Sequence, residues 1–264
     1  HAPSKACCSF PGFCAMAPSV PEHPEKEGLQ RLSPNVGPSA CTSWLSRGGW
    51  PACAALRASL AVAVVVAFGE LFAAERIFDS GDDSANYSEN RLLLPVGRGG
   101  WPARVRDILK SESAIGVWEP TSLLVKLALA EAFGLRARTF TAAAVLLHAA
   151  SCVLSLEFCL RLRWLLGSSF RATVLHAWFA AMVLGLHPLR VEPLAWASGL
   201  PYEIAAVFAL LAGLCHLEHR RATCLWEARR LTFRVRPFGG WRVASASLLL
   251  LACTAKAAAL GLVA

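Results

Sequence analysis

Residues 187–203 read HPLRVEPLAWASGLPYE, a short polar and aromatic link between two apolar runs at 172–186 and 204–217. Each run is long enough only for a short or tilted passage through the hydrocarbon core of a bilayer. Pro188, Pro193 and Pro201 interrupt helix between them, because proline lacks the amide hydrogen and disfavours helical geometry in the residue before it. The link carries His187, Arg190, Glu192 and Glu203, and it places Trp196 where an interfacial aromatic would sit. A charged group at membrane depth costs about 2.5 to 3.5 kcal/mol on insertion scales, so a cluster at a helix end suggests a pathway or a site. An ordinary inter-helix loop is the alternative reading.

Composition supports a membrane setting. Of 264 residues, 55% are hydrophobic and 17% charged, and a soluble domain of this length would need more polar surface. The mean hydropathy is +0.47, and the apolar residues fall in blocks. A net charge of +8 invites a nucleic-acid reading, yet the arginines flank apolar blocks and are not gathered on one face among stacking aromatics, so no nucleic-acid partner is expected. Cys152, Cys159, Cys215 and Cys253 lie in or at the ends of apolar runs and read as small buried hydrophobes. Cys7, Cys8, Cys14, Cys41 and Cys53 lack the spacing of a zinc site.

Residues 1–53 are rich in Pro, Ser, Gly, Cys and Ala and read as a disordered or targeting segment. The first residue is not Met, which suggests a fragment or a processed product. Five spans are expected, at about 54–74, 140–160, 172–186, 204–217 and 243–264. Arg57 can snorkel at one end of the first, and Glu70 lies near its other end. Between the first two spans runs a long polar segment, 75–138, within which 121–135 has a helical pattern interrupted by Lys126 and Glu131 and reads as an interfacial or re-entrant helix.

The loops after spans two and four hold Arg161, Arg163, Arg171, Arg220, Arg221, Arg229, Arg230, Arg234, Arg236 and Arg242, against Arg190 alone in the 187–203 link. The positive-inside rule then puts the arginine loops in the cytoplasm and the link on the lumenal or external face. Counting spans puts 75–138 on that same face. Asp82 and Asp83 therefore share a compartment with His187, Arg190 and Glu192, and Lys256 near the end of span five approaches it.

Adjacent acids on a loop beside a membrane suit a general base or a divalent cation, and each raises the other's proton affinity. A nearby arginine or lysine can balance a phosphate leaving group. The set fits transfer from a lipid-linked phosphate donor. Against it stand a solvated turn for Ser80-Gly81-Asp82-Asp83-Ser84 and an ordinary snorkelling lysine for Lys256. A transporter would place paired ionisable groups near the midplane of several spans, and here the charges gather at one face.

The order of motifs carries a resemblance. Asp82-Asp83-Ser84-Ala85 with Asn90, Glu119-Pro120-Thr121 leading into a helix ending Phe133-Gly134-Leu135, His148, His187-Pro188-Leu189-Arg190-Val191-Glu192 with Ala195-Trp196, and Thr254-Ala255-Lys256 follow one another. Over about residues 77–264 the chain resembles the membrane portion of the transmembrane and tetratricopeptide-repeat-containing mannosyltransferases, which are GT-C-type glycosyltransferases. The HPxxVE stretch is the most specific part. No tetratricopeptide-like repeat is present in the sequence.

The resemblance implies an all-α, polytopic GT-C-like bundle, present as a fragment, with a long lumenal first loop. It implies an enzyme of the endoplasmic reticulum membrane that moves mannose from dolichyl-phosphate-mannose to Ser or Thr hydroxyls of secretory-pathway acceptor proteins. Asp82 and Asp83 match the expected catalytic base. His187, Arg190 and Lys256 are the candidates for the donor phosphate, with Glu192 and Glu203 in support. No cofactor is implied beyond the lipid-linked donor, and a metal requirement is left open.

Three departures bear on activity. Glu119 stands where the family usually has Arg, Leu200 replaces an arginine with the acid surviving as Glu203, and Thr141 and Ala144 stand where His and Asn are often found. The chain stops before the remaining spans of the family, so alone it is not expected to catalyse. A non-catalytic scaffold of the same fold, binding protein partners, is the alternative.

Overall fold

The computed structural model describes residues 49–73, 78, 83–94, 100–110, 116–165, 170–228 and 239–262. Asp82 and residues 1–48, nearly all of the expected targeting segment, lie outside them. Among the described residues the chain is helical and contains no strand. The principal helices are α1 (Gly49–Ala67), α2 (Glu70–Ala73), α3 (Trp101–Lys110), α4 (Pro120–Phe133), α5 (Ala137–Leu165), α6 (Phe170–Leu186), α7 (Val191–Ala195), α8 (Leu200–Ala228) and α9 (Gly239–Ala255). A π-helical turn spans Ser84–Ser88, and 3₁₀ turns span Pro188–Arg190, Ala197–Gly199 and Ala257–Leu262.

The helix limits differ from the expected spans for identifiable reasons. The run at 204–217 becomes the 29-residue α8, because Pro201 sits in its first turn, where the missing amide hydrogen has no partner to lose, and polar residues continue the helix at the far end. At 29 residues, α5 and α8 are each roughly 43 Å long at 1.5 Å per residue, more than the roughly 30 Å hydrocarbon core requires. Both are long and apolar enough to cross a membrane. A third crossing is formed if Val174–Leu186 and Pro188–Ala195, bent by 51° at His187, count as one broken span. The apolar helices Ala54–Ala67 and Gly239–Ala255 are shorter. Span one ends at a break at Phe68-Gly69, and span five stops at Ala255 with a 3₁₀ turn beyond it.

Contacts along the helices give their directions. Arg57 meets Glu157 near one end of α1 and α5, whereas Phe68 packs edge-on against His148 toward the other, so these two run antiparallel. His148 meets Glu203 and Arg161 meets Glu218, so α5 and α8 run parallel. Ser245 Oγ donates to the Ala212 carbonyl while Lys256 lies over Tyr202, which sets α9 antiparallel to α8. Leu60, Val64, Cys152, Leu156, Ala177 and Ala181 fill the core where α1, α5 and α6 meet. Small residues allow the approach: a Cβ on Gly185 of α6 would lie 2.9 Å from Cys152 Sγ and 3.0 Å from Val64. Cys152 is buried and Cys159, Cys215 and Cys253 are partly buried, all as free thiols.

The polar segment 75–138 is more structured than its sequence suggests. It contributes α3, which was not anticipated, and α4, whose limits lie within two residues of the expected helix. The first half of α4 is buried, at Thr121, Ser122, Leu123, Lys126 and Leu127, whereas Glu131 and Phe133 in its second half are exposed. Gly134, at φ +80°, ends it in a conformation that other residues rarely adopt.

Candidate functional site

The helices end at the 187–203 link around a cleft of about 420 Å³ whose walls include Glu119, Arg190, Glu192, Trp196, Tyr202 and Lys256. Residues from the first polar segment, the broken link, the start of α8 and the end of α9 thus meet at one end of the bundle. Two polar stitches hold α4 against α9. Thr121 Oγ1 and Thr254 Oγ1 are 2.7 Å apart, and Ser122 Oγ donates to the Ala255 carbonyl at 2.7 Å. They place Glu119, just before α4, beside Lys256, just after α9. The Lys256 ammonium donates to Glu119 Oε1 at 2.7 Å and lies 4.8 Å from the centre of the Tyr202 ring.

The link is a tight double turn held from below. The His187 ring accepts from the Leu189 amide at 3.3 Å and caps the first 3₁₀ turn. Gly199 closes the second: a Cβ there would lie 1.9 Å from the Pro193 carbonyl oxygen, so the backbone pass excludes a side chain. Beneath that turn, the Asp83 carboxylate accepts from the Ser198 amide at 2.8 Å and the Ala197 amide at 3.4 Å. The Tyr87 hydroxyl donates to the Ala197 carbonyl. The Tyr87 ring stacks on Phe78 at 4.9 Å and carries the Lys126 ammonium 4.7 Å from its centre. Burial pushes the Tyr87 phenol well above its usual range, aided by Asp83 and Glu119. Burial also pulls the Lys126 ammonium down to about 8, with Glu119 acting in the opposite direction.

The sequence-predicted residues therefore divide. Arg190, Glu192 and Lys256 line the cleft together. Asp83 lies under the floor, with both carboxylate oxygens held by backbone amides. His187 is spent on its cap and is not part of the lining. Asp82 lies outside the described residues.

Glu203 turns away into the bundle. Its Oε2 lies 3.2 Å from His148 Nδ1, while His148 Nε2 lies 3.0 Å from the Gly185 carbonyl. A carbonyl only accepts, so Nε2 carries a proton, and a second proton is shared between Nδ1 and the carboxyl group. The tie joins α5, α6 and α8 and is almost wholly buried.

Sequence reasoning gave Tyr202, Asn86 and Ser198 no role, yet they line the cleft. The only signal was their neighbourhood: Tyr202 beside Pro201, and Asn86 beside the acidic pair. The partner of Glu119 lies 137 residues away, beyond the reach of any local pattern.

The arrangement offers two cations and two carboxylates around a space large enough for a phosphate and part of a sugar, with Trp196 and Tyr202 presenting apolar ring surface. Among the described residues Arg190 and Glu192 make no side-chain ion pair, and no group of three or more His, Cys, Asp or Glu side chains is placed to hold a metal ion. Comparison with protein-family profiles, with curated proteins and with solved structures finds no match to this chain.

Proposed function

We propose that the chain is the N-terminal membrane part of a GT-C-type glycosyltransferase of the endoplasmic reticulum that moves mannose from dolichyl-phosphate-mannose to Ser or Thr hydroxyls of secretory-pathway proteins. The observation that carries this reading is the convergence of Arg190, Lys256 and Glu192 on one cleft at the broken helix end, beside the loop that bears Asp83. In the reaction, the acceptor oxygen forms a bond to the sugar C1 as the bond from C1 to the phosphate oxygen breaks. The hydroxyl proton passes to a carboxylate, and the phosphate leaves with the bonding electrons, held by Arg190 and Lys256.

Asp82 and Glu192 are the carboxylates to weigh for that base, because Asp83 is committed to the turn beneath the cleft. The test follows labelled mannose from dolichyl-phosphate-mannose to Ser/Thr-rich acceptors in membranes lacking other mannosyltransferases. The full-length protein is compared with Asp82→Asn, Glu192→Gln and the Asp82→Asn, Asp83→Asn double variant. Loss of transfer in at least one single variant with folding intact is expected. Acceptor tags near residues 95 and 198 should both be modified in the lumen, and tags on opposite faces would sink the site.

A second reading, a non-catalytic scaffold of the same fold, is favoured by a specific observation. Lys256 is neutralised by Glu119, and Asp83 by backbone amides. Under it, no transfer occurs and partner capture survives the double substitution.

A further inference from the structure

Among the described residues four charged groups line the cleft: Arg190 and Lys256 against Glu119 and Glu192. Their formal charges cancel. Glu119 is the more enclosed partner of its ion pair, with its side chain 6% exposed against 21% for Lys256. A carboxylate in that position is poorly screened by solvent, so it acts at full strength on whatever anion approaches the lysine.

We propose that Glu119 sets the charge selectivity of this cleft. By holding Lys256 in an ion pair, it lets the site accept the singly charged phosphodiester of a lipid-linked sugar and favours release of the doubly charged monoester left after transfer. The inference rests on the transfer reading for its substrate class. An ammonium has three donors, and one is committed to Glu119 at 2.7 Å, which leaves two for phosphate oxygens, while the lysine's charge is already balanced by the carboxylate. A phosphomonoester loses its second proton at about pH 6, so at neutral pH it brings a second charge. That charge meets Glu119 and Glu192, and among the described residues no further lining cation balances it. Glu119 is a positioning and selectivity residue, acting through Lys256 and not on the reacting atoms.

The experiment measures binding to the purified full chain of three probes: a short-chain polyprenyl phosphate, its methyl diester and inorganic phosphate. Glu119→Gln should bind the polyprenyl phosphate about tenfold more tightly than the unaltered protein, the factor expected when one competing charge-assisted contact is removed. The diester should change little, so the monoester-to-diester ratio rises. Glu119→Asp, which keeps the charge, should keep the original ratio, and adding Lys256→Met to Glu119→Gln should erase the gain. A misfolded variant cannot produce a selective gain in affinity. An unchanged ratio in Glu119→Gln, or no binding of either lipid probe by any form, overturns the proposal. Inorganic phosphate binding as tightly as the polyprenyl phosphate overturns the lipid assignment. Absence of mannosyl transfer together with the ratio change would sink the transfer reading and leave the selectivity role standing.

Discussion

The two ends of the bundle use the same residue types in opposite ways. At the arginine-rich end, Arg57, Glu157, Arg161, Glu218 and Arg221 form a chain of ion pairs at 2.5 to 3.8 Å, and their side chains are between 18% and 40% exposed. At the cleft end, Asp83, Lys126, Glu119 and the nearby Glu203 are buried, and each has a specific partner over a long sequence distance. Exposed pairs contribute about 0 to 1 kcal/mol each, because water and salt screen them and ordering the side chains costs entropy. Buried groups are expensive to strand once a partner is removed. Position in the fold, and not residue type, separates the half-exposed charges of one end from the buried, individually partnered charges of the other.

The sharpest way to break this contrast is at the His148–Glu203 tie. Glu203→Leu alone should cost about 3 to 5 kcal/mol in thermal unfolding of the detergent-solubilised protein, because it strands a buried polar ring. The His148→Leu, Glu203→Leu double change should recover most of that loss. If the single and double variants lose equally, packing and not charge pairing holds α5 to α8 at this point. Next in size is Gly199→Ala, expected to cost about 3 kcal/mol or to prevent accumulation, because the added methyl group overlaps the Pro193 backbone. Asp83→Asn should cost about 2 kcal/mol, since an amide cannot accept from both the Ala197 and Ser198 amides as a carboxylate does. Asp82→Asn, by contrast, should leave the unfolding temperature unchanged if its role is purely chemical, which separates folding from transfer in the double variant.

A fourth expectation concerns pH. The folded Lys126 ammonium titrates near 8 and the unfolded one near 10.5. Between those values the unfolded chain holds a proton that the folded chain has released, so the lysine makes stability rise with pH there. Tyr87 acts the other way above its usual value of 10.0, because the fold keeps the phenol protonated while the unfolded chain ionises. The unfolding temperature of the unaltered protein should therefore rise relative to that of Lys126→Met from pH 8 to 10. A constant difference would mean that the ammonium is not penalised by burial. The smallest effect is expected at the other end: Arg161→Ala should cost less than about 1 kcal/mol and lose even that in high salt. A larger loss would show that the arginine chain is a structural network after all.

Much of this architecture is legible in the residues alone. The apolar blocks predict α5, α6 and α8, the three prolines predict the broken link, and the helix predicted at 121–135 coincides with α4 to within two residues. The site was only partly legible. Arg190, Glu192 and Lys256 do lie together at one end of the bundle, the end at which span counting expects them. Asp83 and Glu203 could not be sorted in the same way. Which side of a turn an acid faces depends on the element that docks onto it, and the partners are 115 and 55 residues distant.

The sequence by itself determined that the chain is helical, that it is apolar enough for a membrane, and that its helices break at 187–203, since propensity, hydropathy and proline geometry are local properties. Only the tertiary structure decided which charges remain open to a ligand. Helix packing aims Glu203 inward at His148, joins Glu119 to Lys256 and spends Asp83 on a turn. Those pairings follow from long-range burial, where an unpartnered polar group is costly, and no local pattern encodes them.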